Sequence, residues 1–121
     1  MRPTWRHARK VLQWCEQEYG WSKYEEYGPT ISYRKPDHLT EDVCGWYDDS
    51  DCYIHLNNLS CNTIEELVKT VIHEYQHHLQ DPKQYQRLAK KLSHEQNPLE
   101  IQAEEVALRD YKKCLQELVF I

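Results

Sequence analysis

Residues 70–80 of the 121-residue chain read Thr-Val-Ile-His-Glu-Tyr-Gln-His-His-Leu-Gln. They lie in a segment whose apolar side chains recur every three or four residues, which is the period of an amphipathic α-helix. The apolar positions are Ile64, Leu67, Val68, Val71, Ile72, Tyr75 and Leu79. The pattern predicts a core helix that begins after Thr63, with Glu66 completing a capping box, and ends near Asp81-Pro82.

The same helix carries the pattern H-E-x-x-H from His73 to His77, with Glu74 as its acidic residue. Residues i and i+4 of a helix project from one face, so the two imidazoles can bind one metal ion. Both histidines fall opposite the centre of the apolar stripe, which argues against core histidines and leaves ordinary surface histidines as the alternative. The pattern is typical of a zinc site in which the glutamate takes a proton from the attacking water.

A catalytic zinc ion normally has three protein ligands, and Glu100 is the preferred candidate for the third. Asn97 and Pro98 predict the start of a helix. Its apolar stripe reads Ala103, Ala107, Tyr111, Cys114, Leu115 and Leu118. Extended backward, the stripe reaches Glu100 and Glu104, where buried carboxylates would need a cationic partner. Two alternatives remain: Glu100 serves only in a capping box with Asn97, or His94 is the third ligand.

Two motifs of this chain together resemble those of the gluzincin metallopeptidases, in particular the small minigluzincins. They are His73-Glu74-x-x-His77 and Glu100-x-x-Ala103-Glu104. The resemblance covers residues 52–107, with Glu at a position where the family more commonly has Asp. It implies three zinc ligands, a general base, and a carboxylate that orients a ligand histidine. These are, in that order, His73, His77 and Glu100; Glu74; and Glu104.

The segments around the motif helix predict an α+β fold. Residues 4–19 indicate a helix that Gly20 ends, Thr30–Arg34 alternates like a strand before Pro36, and residues 83–95 indicate a short basic helical connection. A hairpin is predicted from Gly45-Trp46-Tyr47, an acidic four-residue loop, and Cys52-Tyr53-Ile54-His55-Leu56. We expect an N-terminal helix, a small mainly antiparallel sheet, the H-E-x-x-H helix and a C-terminal glutamate helix, in one domain spanning residues 1–121.

Two further expectations concern the packing of this fold. The family resemblance places one hairpin strand at the sheet edge beside the cleft, where an extended peptide could add as another strand. The aromatic residues Trp21, Tyr24 and Tyr27 are expected to pack in the core or over it.

The composition indicates which classes of partner and which cellular compartment to expect. A net charge of −5, from 20 acidic and 15 basic residues, argues against nucleic acid and anionic membranes as partners. The sequence has no apolar run of the roughly 20 residues that cross a membrane, and no signal-peptide core follows its N-terminus. Five cysteines without a C-x-x-C pair favour a reducing compartment. We therefore expect a soluble, intracellular protein without a membrane partner.

The sequence thus predicts a Zn²⁺-dependent peptidase that acts on a peptide or protein substrate. Tyr85, His55 and His94 are equally ranked candidates for contacts to the substrate carbonyl oxygen. One alternative is an interaction module with a structural zinc ion, whose fourth ligand would be His78, His94 or a cysteine. Another is a protease that acts on DNA-associated proteins, with the basic run Lys83, Arg87, Lys90 and Lys91 contacting DNA.

Overall fold

The computed structural model of the protein describes residues 2–35 and 43–118. Within these ranges it has four helices and a three-stranded sheet, which confirms the α+β layout. In chain order the elements are α1 (Trp5–Tyr19), β1 (Thr30–Arg34), β2 (Gly45–Asp48), β3 (Tyr53–Asn57), α2 (Ile64–Leu79), α3 (Pro82–Lys91) and α4 (Pro98–Glu117). Pro36, expected to follow the first strand, lies outside the described residues.

The first two helices begin and end where their capping residues predict. The Thr4 side chain accepts a hydrogen bond from the backbone N–H of His7, and Gly20, with a φ of 79°, ends α1. Thr63 caps α2 through the backbone N–H of Glu66, at 3.1 Å, but Glu66 does not return a side-chain hydrogen bond to Thr63, so the predicted capping box is only half formed. These local hydrogen bonds satisfy backbone groups that a helix end leaves without partners.

The sheet has the strand order β1-β3-β2. β1 runs parallel to β3, whereas β2 and β3 form the predicted antiparallel hairpin around a four-residue loop. The sheet is therefore mixed, with one pair of each kind. β2 is an edge strand, and it packs against α2 together with β3.

The free edge of β2 faces the motif helix. The N–H of Asn57 donates to the carbonyl of Cys44 at 2.8 Å, so in this register the backbone groups of Gly45 and Tyr47 point away from β3. A Cβ atom at position 45 would lie 2.7 Å from the carbonyl oxygen of His55 and 3.0 Å from the Thr70 side chain of α2. Glycine therefore lets β2 approach α2 closely.

Helix α2 lies at the centre of the core and packs against α1, α4 and the sheet. Its predicted apolar stripe is confirmed, since Leu67, Val68, Val71, Ile72 and Tyr75 are all fully buried. On α4, the small buried residues Ala103 and Ala107 allow that helix to approach α2 closely. Close packing of α2 against α4 sets the spacing of the side chains that they carry toward each other.

The prediction for the aromatic residues after α1 is wrong. Trp21, Tyr24 and Tyr27 are 68%, 45% and 74% exposed. They lie in the segment between α1 and β1, which has no helix or strand to press one face against the core. Residue type alone therefore does not predict that an aromatic side chain is buried.

Candidate metal centre

The two motif histidines point at one carboxylate oxygen. His73 Nε2 lies 3.1 Å and His77 Nε2 lies 2.8 Å from Oε1 of Glu100. The imidazoles come from successive turns of α2, and Glu100 comes from the first turn of α4. The close packing of these helices therefore brings together the three residues that the sequence proposes as metal ligands.

The start of α4 places Glu100 in the site. Oδ1 of Asn97 accepts a hydrogen bond from the N–H of Leu99 at 2.9 Å, and Pro98 occupies the first turn. Asn97 donates its own N–H to the carbonyl of Ser93 at 3.0 Å. The carboxylate of Glu100, only 6% exposed, turns instead to His73, His77, Tyr85 and His94. The capping box with Asn97 therefore does not form.

Each motif histidine also has an acceptor at its other ring nitrogen. His73 Nδ1 lies 3.0 Å from Oε2 of Glu104, and His77 Nδ1 lies 2.7 Å from Oε1 of Gln80. With a metal ion on Nε2, these acceptors would hold the proton of each ring on Nδ1. The Glu104 side chain, expected on the inward stripe of α4, is 58% exposed and reaches His73 along the rim of the site.

Gln80 is a site residue that sequence reasoning missed. The available signal was its position three residues after His77, which places both side chains on one helical face. That spacing is common, and although Pro82 predicts the end of the helix, it does not show where the side chain of the last residue points. In the structure Gln80 is the C-cap of α2, with extended backbone angles.

Glu74 lies buried beside the histidines, with 7% of its surface exposed. Burial raises the pKa of its carboxyl group to about 7, although His73, His77 and a hydrogen bond from the backbone N–H of Tyr47 act to lower it. The ligand atoms of Glu74 and the two histidines lie within 4.8 Å of one another. A carboxylate with a pKa near neutrality can accept and return a proton at physiological pH.

His73 and Glu100 each stabilise the charged form of the other. Burial alone would lower the pKa of His73, but its hydrogen bond to Glu100 and the nearby charge of Glu74 raise that pKa to about 9. Burial would raise the pKa of Glu100, but hydrogen bonds from His73, His77 and Tyr85 hold it well below its ordinary value. Glu100 is therefore ionised at neutral pH, the form in which a carboxylate binds a metal ion.

A cleft of about 330 Å³ opens onto these residues. One wall is β2, and the other carries Pro82 and Tyr85 of α3 together with His94. The Tyr85 hydroxyl donates a hydrogen bond to Oε2 of Glu100, and His94 Nε2 lies 3.0 Å from the same oxygen. Two of the three candidates for substrate carbonyl contacts therefore line the cleft.

The third candidate, His55, lies elsewhere. Its ring stacks between Trp46 and Tyr53, with centroid distances of 4.3 Å on both sides. Tyr53 and His55 extend from the face of β3 opposite the buried Ile54, so His55 is directed away from the core and α2. We therefore exclude His55 from the carbonyl contacts.

His78 and the cysteines are not positioned as a fourth ligand. His78 is buried, with Nδ1 3.1 Å from the Tyr47 hydroxyl, and burial lowers its pKa to about 4. It does not line the cleft. Among the described residues, the group with metal-binding spacing contains no cysteine. Of the fourth ligands considered, only His94 lies at the site.

The residues present suit a metal ion. His73, Glu74 and His77 form a group that could hold one, and Glu100 adds a carboxylate oxygen 2.8 and 3.1 Å from the two Nε2 atoms. Ligand atoms about 2.0–2.1 Å from a tetrahedral zinc ion lie about 3.3 Å apart, so these two distances are within a few tenths of an ångström of that spacing. Two imidazoles and one carboxylate form a donor set used by catalytic zinc sites.

Comparison of the chain with protein-family models, with curated proteins and with solved structures finds no match. Within residues 2–35 and 43–118, none of the helices has the length and apolar character needed to cross a membrane. The case for a function therefore depends on the geometry of the site and on the two motifs.

Proposed function

We propose that this protein is a zinc-dependent peptidase of the minigluzincin type. The observation that carries the proposal is the convergence of His73 Nε2 and His77 Nε2 on the Glu100 carboxylate, with the buried Glu74 beside them. Neither motif alone would require this arrangement. Their spacing in the fold is the one that a site with two histidines and one glutamate needs.

The chain's own groups fit the roles that peptide hydrolysis requires. A zinc ion held by His73, His77 and Glu100 would polarise the substrate carbonyl and acidify a water molecule. Glu74 would accept the proton of the attacking water and deliver it to the leaving amine. The N–H of Tyr47 fixes the Glu74 carboxylate for this work, while Tyr85 and His94 line the cleft where the substrate carbonyl would lie.

The edge of β2 provides a means of binding an extended peptide. The backbone groups of Gly45 and the carbonyl of Tyr47 point away from β3, and both residues line the cleft. A peptide laid beside β2 would add a strand to the sheet, with main-chain hydrogen bonds supplying affinity. We therefore propose that the substrate binds in extended form, as part of a peptide or an unfolded protein segment.

The test is Glu74→Gln, which preserves the shape of the side chain and removes its basicity. We expect the variant to retain zinc and to cleave about 10²–10⁴-fold more slowly, the usual contribution of general acid–base catalysis. Zinc content by elemental analysis and cleavage of a proteome-derived peptide library should be measured on the same preparations. His73→Ala is the matched control, because it should lose both zinc and activity.

Two results would contradict the proposal. A Glu74→Gln variant that keeps its zinc and cleaves at the wild-type rate would show that Glu74 is not the base. Failure of the zinc-loaded wild type to cleave any member of the library would remove the peptidase assignment itself.

A second candidate is an interaction module with a structural metal ion. The contact of His94 Nε2 with Glu100 at 3.0 Å favours it, because this places a third imidazole where it could close the coordination sphere. A structural zinc site has four protein ligands, whereas a catalytic site keeps one exchangeable position. Binding of a hydroxamate to the cobalt-substituted protein, followed by its visible spectrum, would support the peptidase; an unchanged spectrum would support the module.

A further inference from the structure

The side-chain amide of Gln80 contacts three partners. Its nitrogen donates both of its hydrogens, and its oxygen faces a histidine ring. Oε1 lies 2.7 Å from Nδ1 of His77. Nε2 donates to the carbonyl of Leu99 at 2.9 Å and to Oε1 of Gln102 at 3.0 Å. Because the backbone carbonyl of Leu99 can only accept a hydrogen bond, the amide nitrogen of Gln80 must face it, which turns the amide oxygen toward His77.

These three contacts connect both halves of the metal centre. Gln80 ends α2, its acceptor partner Leu99 lies in the first turn of α4, and Leu99 is the direct neighbour of Glu100. The amide therefore links the helix that carries the histidines to the turn that carries the carboxylate. The link lies next to the site and does not line its cleft.

We infer that Gln80 is a positioning residue of the metal centre, which turns the His77 ring so that Nε2 faces Glu100 and holds the first turn of α4 against α2. The inference depends on the metal site of the proposed function, but it does not depend on peptide hydrolysis. The oxygen of the amide performs the first task and its nitrogen performs the second. The two tasks can therefore be separated by substitution.

The two histidines differ in the partners that orient them. His73 is oriented by the Glu104 carboxylate, which is 58% exposed and is therefore also solvated by water. His77 is oriented by a neutral amide that two other residues hold in place. We expect His77 to be the more firmly oriented of the two ligands, because its acceptor cannot turn away without breaking two further hydrogen bonds.

The experiment compares zinc binding and the His77 ring signals in the full chain. Gln80→Leu removes the acceptor for His77 and both donated hydrogen bonds. Gln80→Glu keeps an acceptor for the Nδ1–H of His77 and loses both donated hydrogen bonds. Zinc affinity is measured by competition with a chromophoric chelator. The Nδ1–H resonance of His77 is followed by NMR in the zinc-loaded, ¹⁵N-histidine-labelled protein. Gln13→Leu makes the same change at an exposed position of α1 and is the control.

We expect Gln80→Leu to bind zinc about 10–100-fold more weakly, as is typical when a ligand's hydrogen-bond partner is removed. Its His77 Nδ1–H signal should broaden through exchange with solvent. Gln80→Glu should retain both the signal and most of the affinity, but melt at a lower temperature in the metal-free form. Gln13→Leu should match the wild type in every measurement.

Wild-type zinc affinity and an unchanged His77 signal in a folded Gln80→Leu variant would overturn the inference. An equal loss of affinity in Gln80→Glu and Gln80→Leu would overturn the orienting role, because the acceptor alone would then have no effect. If the wild type binds zinc but cleaves no peptide, the proposed function fails while both arms of this test remain valid.

Discussion

Helices α2 and α4 pack against each other over fully buried side chains, whereas α3, on the other side of the same site, buries none. The proposed metal ligands all come from the first pair. Tyr85, which reaches the site from the cleft wall, comes from α3. The difference matches two requirements of the proposed hydrolytic site: metal ligands must be held at fixed distances, while groups that contact the substrate must remain accessible.

The difference between α2 and α3 is tested most directly by truncating one leucine to alanine in each helix. Leu67 of α2 is fully buried, so Leu67→Ala should lower the free energy of unfolding by about 2–5 kcal/mol through lost burial and a cavity. Leu88 of α3 is only half-buried, and Leu88→Ala should cost less than about 1 kcal/mol. Urea unfolding of the metal-free proteins measures both. Equal losses would show that α3 is as firmly held as α2.

A second pair of variants tests whether the ligands come only from the α2–α4 framework. Glu100→Gln should weaken zinc binding more than the roughly 10–100-fold seen for outer hydrogen-bond partners, because it removes a charged ligand. His94 is 73% exposed, and His94→Ala should change the affinity less than about threefold. Metal competition titration measures both affinities. The reverse order would favour a three-histidine site built partly from the segment after α3.

The third prediction tests whether Tyr85 of α3 contacts the substrate or supports the metal ligands. Tyr85→Phe removes a hydroxyl group that lines the cleft and donates to Glu100. If that hydroxyl stabilises charge on the substrate carbonyl, kcat/KM should fall about 10²-fold, while zinc content stays at the wild-type value. Tyr27→Phe is the control, because Tyr27 is 74% exposed and does not line the cleft. A loss of zinc in Tyr85→Phe would instead assign Tyr85 to the metal framework.

The elements that could be predicted from sequence are those whose signals are local. The apolar period of α2, the capping residues Thr4, Thr63 and Asn97, and the alternation of β3 each depend on neighbours within a few positions. Glu100 could be placed for the same reason, since Asn97 fixes the start of α4. Glu100 could be expected to lie near His77 because the apolar faces of α2 and α4 both had to be buried, which packs the two helices together.

What could not be predicted depends on where the chain turns between elements. The contacts of Gln80 require the extended backbone of the α2 C-cap, and those of Tyr85 require the path of α3 back across the site. The exposure of Glu104 was missed because a helical wheel gives the direction of a side chain and does not show how far the buried surface extends around the helix. The parallel pairing of β1 with β3 also escaped prediction, since two strands separated by a hairpin strand carry no local signal of their order.

Gly45 restricts which positions of the proposed substrate cleft can be mutated. A side chain at this position would collide with the backbone of His55 and with Thr70, so position 45 cannot be varied without displacing β2 from α2. Val43 and Asp49 line the same cleft and lie outside that close contact. A mutational library for altered substrate preference should therefore randomise positions 43 and 49 and leave position 45 unchanged.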